Sequence, residues 1–211
     1  MIGASHVVSR GRAPYLAYAD RRRNVVYKVL LSGGLPLIVA LAVLITPTYA
    51  IASAPQRTFQ IKDKCDAATF NAAVGPGTCI GNGAVTFAQF LKELQQLQRA
   101  PQWHFVPDQA QMTVGESFIA TNNGGELHSF TEVNAFGGGI VPFLNQLSNS
   151  GPTRPECAAA IGAFGAGMPN SSFVLPGQSF TDTEGPNDVG HPVLYQCCIH
   201  PWMHETITVR P

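Results

Sequence analysis

Long charged helical patterns are scarce in this 211-residue chain, where Asp, Glu, Lys and Arg make up only 12%. With 21 glycines and 16 prolines, that scarcity weighs against a helical bundle and toward a loop-rich β domain. A basic face is also missing. Residues 55–211 carry seven Lys and Arg against 12 Asp and Glu, a net of −5. That balance argues against a nucleic-acid partner. There is no internal repeat and no His-x-His pair. No paired carboxylates or Ser-His-Asp arrangement stands out, so the sequence does not read as an enzyme.

The N-terminus reads as an export signal. Arg21, Arg22, Arg23 and Lys28 flank an uncharged run from Val29 to Ile45, and Tyr49 to Ala54 is rich in small residues. Cleavage after Ala52 is the preferred reading. The alternative is an uncleaved membrane anchor, although Gly33, Gly34 and Pro36 interrupt the run. Both readings place residue 55 onward outside the cytoplasm, periplasmic or extracellular, where disulfides are permitted.

Residues 55–64 read as a short linker-like lead. Cys65 and Cys79 enclose a loop containing Asn71, Gly75, Pro76 and Gly77, which a disulfide would close. Thr86 to Gln98 has the pattern of an amphipathic helix, with Phe87, Phe90, Leu91, Leu94 and Leu97 on one face. Thr86 and Gln89 fit a capping box, and Pro101 ends the pattern. From Trp103 onward the chain breaks into short β-like runs: 103–106, 111–114, 117–121, 127–131, 172–175, 193–196 and 206–209. Residues 136–171 read as a long loop region with a short helix near 157–164. Short strands with frequent turn signals predict a sandwich or Greek-key barrel.

The chemistry concentrates in Tyr195-Gln196-Cys197-Cys198-Ile199-His200-Pro201-Trp202-Met203. Cys197, His200 and Met203 follow the spacing Cys-x-x-His-x-x-Met between two predicted strands. Thiolate, imidazole and thioether form a soft donor set. One Cys, two His and a weak axial Met describe a copper electron-transfer site, whereas structural zinc asks for four strong Cys or His ligands. The second histidine must come from elsewhere. His128, at a strand start after a Gly-rich turn, is the leading candidate, with His104, His191 and His204 as competitors. Adjacent strand residues face opposite ways. If Cys197 faces the metal, Cys198 faces away and is free to bridge Cys157. One ligand cysteine leaves four, enough for two bridges; Cys65–Cys79 and Cys157–Cys198 is the favoured pairing, and a Cys198 that is simply buried is the alternative.

Tyr-x-Cys-x-x-His-Pro-x-Met followed by Thr206-Ile207-Thr208-Val209 resembles the ligand loop of the small blue copper proteins, the cupredoxins, with the loop length of amicyanin. Leu127-His128-Ser129-Phe130 is similar to the upstream ligand strand of that family. The resemblance covers roughly residues 103–211. It implies an all-β fold: a cupredoxin-like Greek-key β-sandwich, here with an extra N-terminal helix. It implies one type 1 copper ion held by His128, Cys197, His200 and Met203. Ser129 departs from the family, in which Asn often follows the first histidine.

The chain is therefore expected to divide into an export signal or anchor (1–52), an N-terminal extension with a disulfide loop and amphipathic helix (53–102), and a copper-binding β domain (103–211). The expected function is one-electron transfer outside the cytoplasm. His200 is expected near the surface, with Ile199, Pro201 and Trp202 forming an apolar rim where a redox partner protein docks. No nucleic-acid partner is expected, and membrane contact only if the N-terminal segment stays uncleaved. The rival readings are a copper-storage or copper-delivery protein and a β domain in which Cys197 is half of a disulfide.

Overall fold

The computed structural model describes residues 56–167 and 172–211. The export-signal reading of residues 1–52 lies outside the described residues. Among those described, no helix is long and apolar enough to cross a membrane.

Ten strands and four helices make up the described chain. In order they are β1 (Gln56–Lys62), α1 (Ala67–Ala73), α2 (Phe87–Leu97), β2 (His104–Val106), β3 (Gln109–Thr113), β4 (Ser117–Asn122), β5 (His128–Ser129), β6 (Thr131–Val133), α3 (Pro142–Ser148), α4 (Pro155–Gly165), β7 (Phe173–Val174), β8 (Ser179–Thr183), β9 (Pro192–Gln196) and β10 (His204–Arg210). One sheet has the order β2-β1-β4-β8 and the other β3-β10-β9-β6, while β5 and β7 form a two-stranded sheet. The pairs β1–β4 and β3–β10 are parallel; the other pairings are antiparallel.

The two large sheets pack as a sandwich through an aromatic core. Phe59 on β1 and Phe118 on β4 meet Phe130, at ring separations of 5.5 Å each, and Phe118 meets Tyr195 on β9 at 5.4 Å. Burying each such side chain contributes roughly 1.5–3 kcal/mol, so this layer is the main adhesive between the sheets.

The sandwich expectation is met, with departures. Within the expected linker-like lead, Gln56–Lys62 is a strand. Phe59 and Ile61 alternate with outward residues, and β1 lies between β2 and β4. Helix α2 forms where the spacing predicts it. The Thr86 hydroxyl accepts from Gln89 N–H, while the Gln89 side chain turns instead to Glu93, so half of the capping box forms. An 11-residue helix is marginal in isolation. This one is held by Phe90 and Leu94, both buried, with Phe90 4.7 Å from Trp103. Within residues 136–167, α4 forms around the expected 157–164 helix, and α3 forms where only loop was expected; each has proline in its first turn, a position proline favours. The disulfides pair Cys65 with Cys79 and Cys157 with Cys198, and Cys197 is free.

Glu184, just after β8, is buried. Burial, and then the charges of Asp188, Asp182 and Glu132, push its carboxyl up to about 7 against the opposing Tyr195 hydrogen bond. A carboxyl raised on folding contributes stability that is fully present below its unfolded value, near 4.5, and is lost as pH rises through 7. Glu184→Gln should therefore flatten the fall in stability between pH 4.5 and 7, by at most about 1.4 kcal/mol per pH unit. Denaturant melts across that range check this; identical slopes for the two proteins would count against it.

Candidate metal centre

Strands β9 and β10 are antiparallel neighbours, and Gln196 pairs with His204 at the base of their connection. Residues 197–203 bridge them. Cys197 N–H donates to Met203 O (3.1 Å) and Met203 N–H to His200 O (3.0 Å). These bonds curl the loop so that His200 Nδ1 comes within 3.7 Å of Cys197 Sγ. His128 reaches the same point from β5, which is pinned by β7. Its Nδ1 lies 3.6 Å from Cys197 Sγ and 3.3 Å from His200 Nδ1. All three side chains are buried.

Atoms with separations of 3.3, 3.6 and 3.7 Å lie on a circle of radius about 2 Å, which is close to metal–imidazole and somewhat short of metal–thiolate bond lengths. The donor set thus fits a single ion with three close ligands. No fourth His, Cys, Asp or Glu joins this group among the described residues, which weighs against a structural zinc tetrahedron. Met203 is buried and closes the loop through its backbone.

The sulfur is prepared as a thiolate. Burial pushes the Cys197 thiol up, but hydrogen bonds and charge from His128 and His200 more than offset this and hold it well below the usual thiol range. Two backbone N–H groups, from Ser129 and His200, also point at Sγ, each at 3.4 Å. Burial would push the His128 ring down, but hydrogen bonds to Asp63 and Cys197 prevail and raise it to about 10.

The outer nitrogens of both rings face carboxylates. His128 Nε2 is 2.9 Å from Asp63 Oδ2, and His200 Nε2 is 3.6 Å from Glu126 Oε2. Asp63, Cys65 and Glu126 bring ligand-type atoms together, but Cys65 is committed to its disulfide. What remains is a pair of carboxylates behind the two imidazoles. Sequence reasoning missed both. Asp63 directly follows β1, a strand that read as linker, and Glu126 sits in the turn before His128.

Ser129 fills a structural role. Its hydroxyl accepts from Cys198 N–H (2.7 Å) and from Thr131 (2.9 Å), tying β5 to the start of the ligand loop. Cys198 turns away from the site to Cys157, beside Phe173. The competing histidines stand apart: His104 and His191 are exposed, and His204 stacks on Phe136 at 3.8 Å.

The expectation that His200 lies near the surface is overturned. Only 2% of it is exposed. Phe90 from α2, Trp103 and Trp202 surround its ring at 6.3, 6.4 and 5.4 Å. Pro201 is buried too, whereas Ile199 and Trp202 are half-buried. The physical reason is α2, whose apolar face needs a partner and finds it over the site.

No family model and no curated protein matches the chain. Among solved structures it is similar to a purple cupredoxin from Nitrosopumilus maritimus, at 15% identity and a TM-score of 0.37, over 73% of this chain and 99% of that one. It is also similar to a variant of amicyanin in its Cu(I) form, at 13% identity and a TM-score of 0.32, over 51% of this chain and 73% of that one. A reduced amicyanin variant matches at 16% identity and a TM-score of 0.30, over 49% and 70% of the two chains. Likeness of this degree carries no functional argument; the side-chain geometry does.

Ser129→Ala should leave both backbone donors to Sγ in place while orphaning the buried Cys198 N–H. The expected result is a stability loss of about 1–3 kcal/mol with little change in metal uptake. Thermal melts and metal titration of the variant measure the two effects separately. A variant as stable as the parent would show that the hydroxyl does not hold the loop.

Proposed function

We propose that the protein is a type 1 copper protein that carries single electrons outside the cytoplasm. The observation that carries this reading is the meeting of one buried thiolate sulfur and two imidazole nitrogens at mutual distances of 3.3–3.7 Å. His128, Cys197 and His200 would hold the ion, with the Met203 thioether completing the donor pattern of blue-copper sites. Copper bound there supplies a reversible one-electron couple. The chain's own contribution is a fixed donor triangle, two backbone N–H groups on the sulfur, and an aromatic wall that excludes water. Two disulfides fit an oxidising compartment. The redox partner would dock beside the half-buried Ile199 and Trp202 rather than Pro201, which is buried. Trp202 borders a groove of about 500 Å³ that Arg99, His104 and Asp108 also line.

Copper storage or delivery is the rival reading. Burial of all three donors favours the carrier, since ion exchange would require the cover to open.

Adding Cu(II) to the purified protein should produce an intense visible thiolate-to-copper band and a reversible one-electron reduction. Cys197→Ser should abolish the band. A protein that holds Cu(I) exchangeably and shows no band would support delivery instead. A colourless protein that retains no copper would sink both readings.

A further inference from the structure

Asp63 and Glu126 are the buried ionisable groups beside the site that the proposed ligand set leaves unused. They are 5% and 6% exposed and act as one unit, because Glu126 N–H donates to Asp63 Oδ2 at 3.0 Å. Asp63 is held by Cys65 N–H through Oδ1 (3.1 Å) and by Gly125 N–H through Oδ2 (2.8 Å). Glu126 is held by Trp103 Nε1–H at 2.6 Å. Each aims an oxygen at the outer nitrogen of a different imidazole. We infer that Asp63 and Glu126 form a carboxylate clamp that fixes the His128 ring by a hydrogen bond, sets a carboxylate 3.6 Å from the His200 ring and biases bound copper toward Cu(II). This deepens the type 1 copper reading and rests on it.

The physics has two parts. An imidazole whose outer N–H meets a carboxylate is held in one orientation and becomes a stronger donor through its inner nitrogen. Negative charge in a dry site also favours the dication over the monocation, and low effective dielectric enlarges that preference. Both effects act in one direction: reduction, in which Cu(II) gains one electron to give Cu(I), becomes less favourable. The two residues are therefore positioning residues that lower the reduction potential. Asp63 should dominate, being at 2.9 Å from its ring rather than 3.6 Å.

The test is a spectroelectrochemical titration of the copper-loaded full chain and its Asp63→Asn and Glu126→Gln variants. Asp63→Asn should shift the balance toward Cu(I) by tenfold or more, which is 59 mV or more upward for one electron. Glu126→Gln should shift it the same way by less, because the amide oxygen still accepts from Trp103. The ratio of Cu(II) to Cu(I) affinity should fall in step. A purely structural role would lower melting temperature and leave the potential where it was. If Asp63→Asn does not fold, Glu126→Gln decides alone. Loaded, folded variants with the parent potential would overturn the clamp and spare the copper reading. A parent protein that takes up no copper would overturn both.

Discussion

Asp63 places a carboxylate in the dry interior and surrounds it with four donors: the N–H groups of Cys65, Gly125 and Glu126, and the ring of His128. An isolated charge there would carry a penalty of several kcal/mol, and attraction to one partner rarely offsets it unless hydrogen bonds complete the shell. The donors come from three segments: the end of β1 and the residues just after it, the β4–β5 turn, and β5. Because the charge is tolerable only when all three converge, it works as a registration point. Burial opposes the ionised form, yet the His128 hydrogen bond and charge and the two backbone donors hold its carboxyl well below the usual range.

That convergence needs space that only glycine leaves. A Cβ on Gly124 would fall 1.9 Å from Asp63 Oδ2, and one on Gly125 would fall 2.4 Å from Gly81 N. Asn122 braces the same turn, donating to Glu126 O and Val174 O and accepting from Gly124 N–H. The Cys65–Cys79 disulfide lies against it, since Cys65 N–H is one of the four donors. A Gly-rich turn, a buried amide and a disulfide far apart in sequence thus serve one end, the placement of His128.

The turn at 197–203 was legible in the sequence because its information is local. Cys-x-x-His-x-x-Met lies within one hairpin connection, and the hairpin closes it through adjacent backbone bonds. Opposite facing of neighbours correctly separated Cys197 from Cys198, and His128 was marked by the turn before it. Asp63 was not legible, because a lone Asp among polar residues has no local signature. The Phe59 and Ile61 alternation that builds β1 is only three residues long. Nor could amphipathic spacing reveal the seat of α2. It shows that a helix has an apolar face, and tertiary packing decides what that face covers.

That seat determines what the site can exchange. Phe90, Trp103 and Trp202 enclose His200, and Trp103 is itself tied to Glu126. The cover therefore both excludes water and positions the carboxylate behind His200. An ion could pass only if packed aromatic side chains separated, which forfeits roughly 1.5–3 kcal/mol for each one exposed. An electron needs no such opening, and Trp202, half-buried at 5.4 Å from the His200 ring, brings a conjugated side chain between ligand and surface. On the proposed copper reading, the helix built onto the sandwich would separate the traffic of ions from that of electrons.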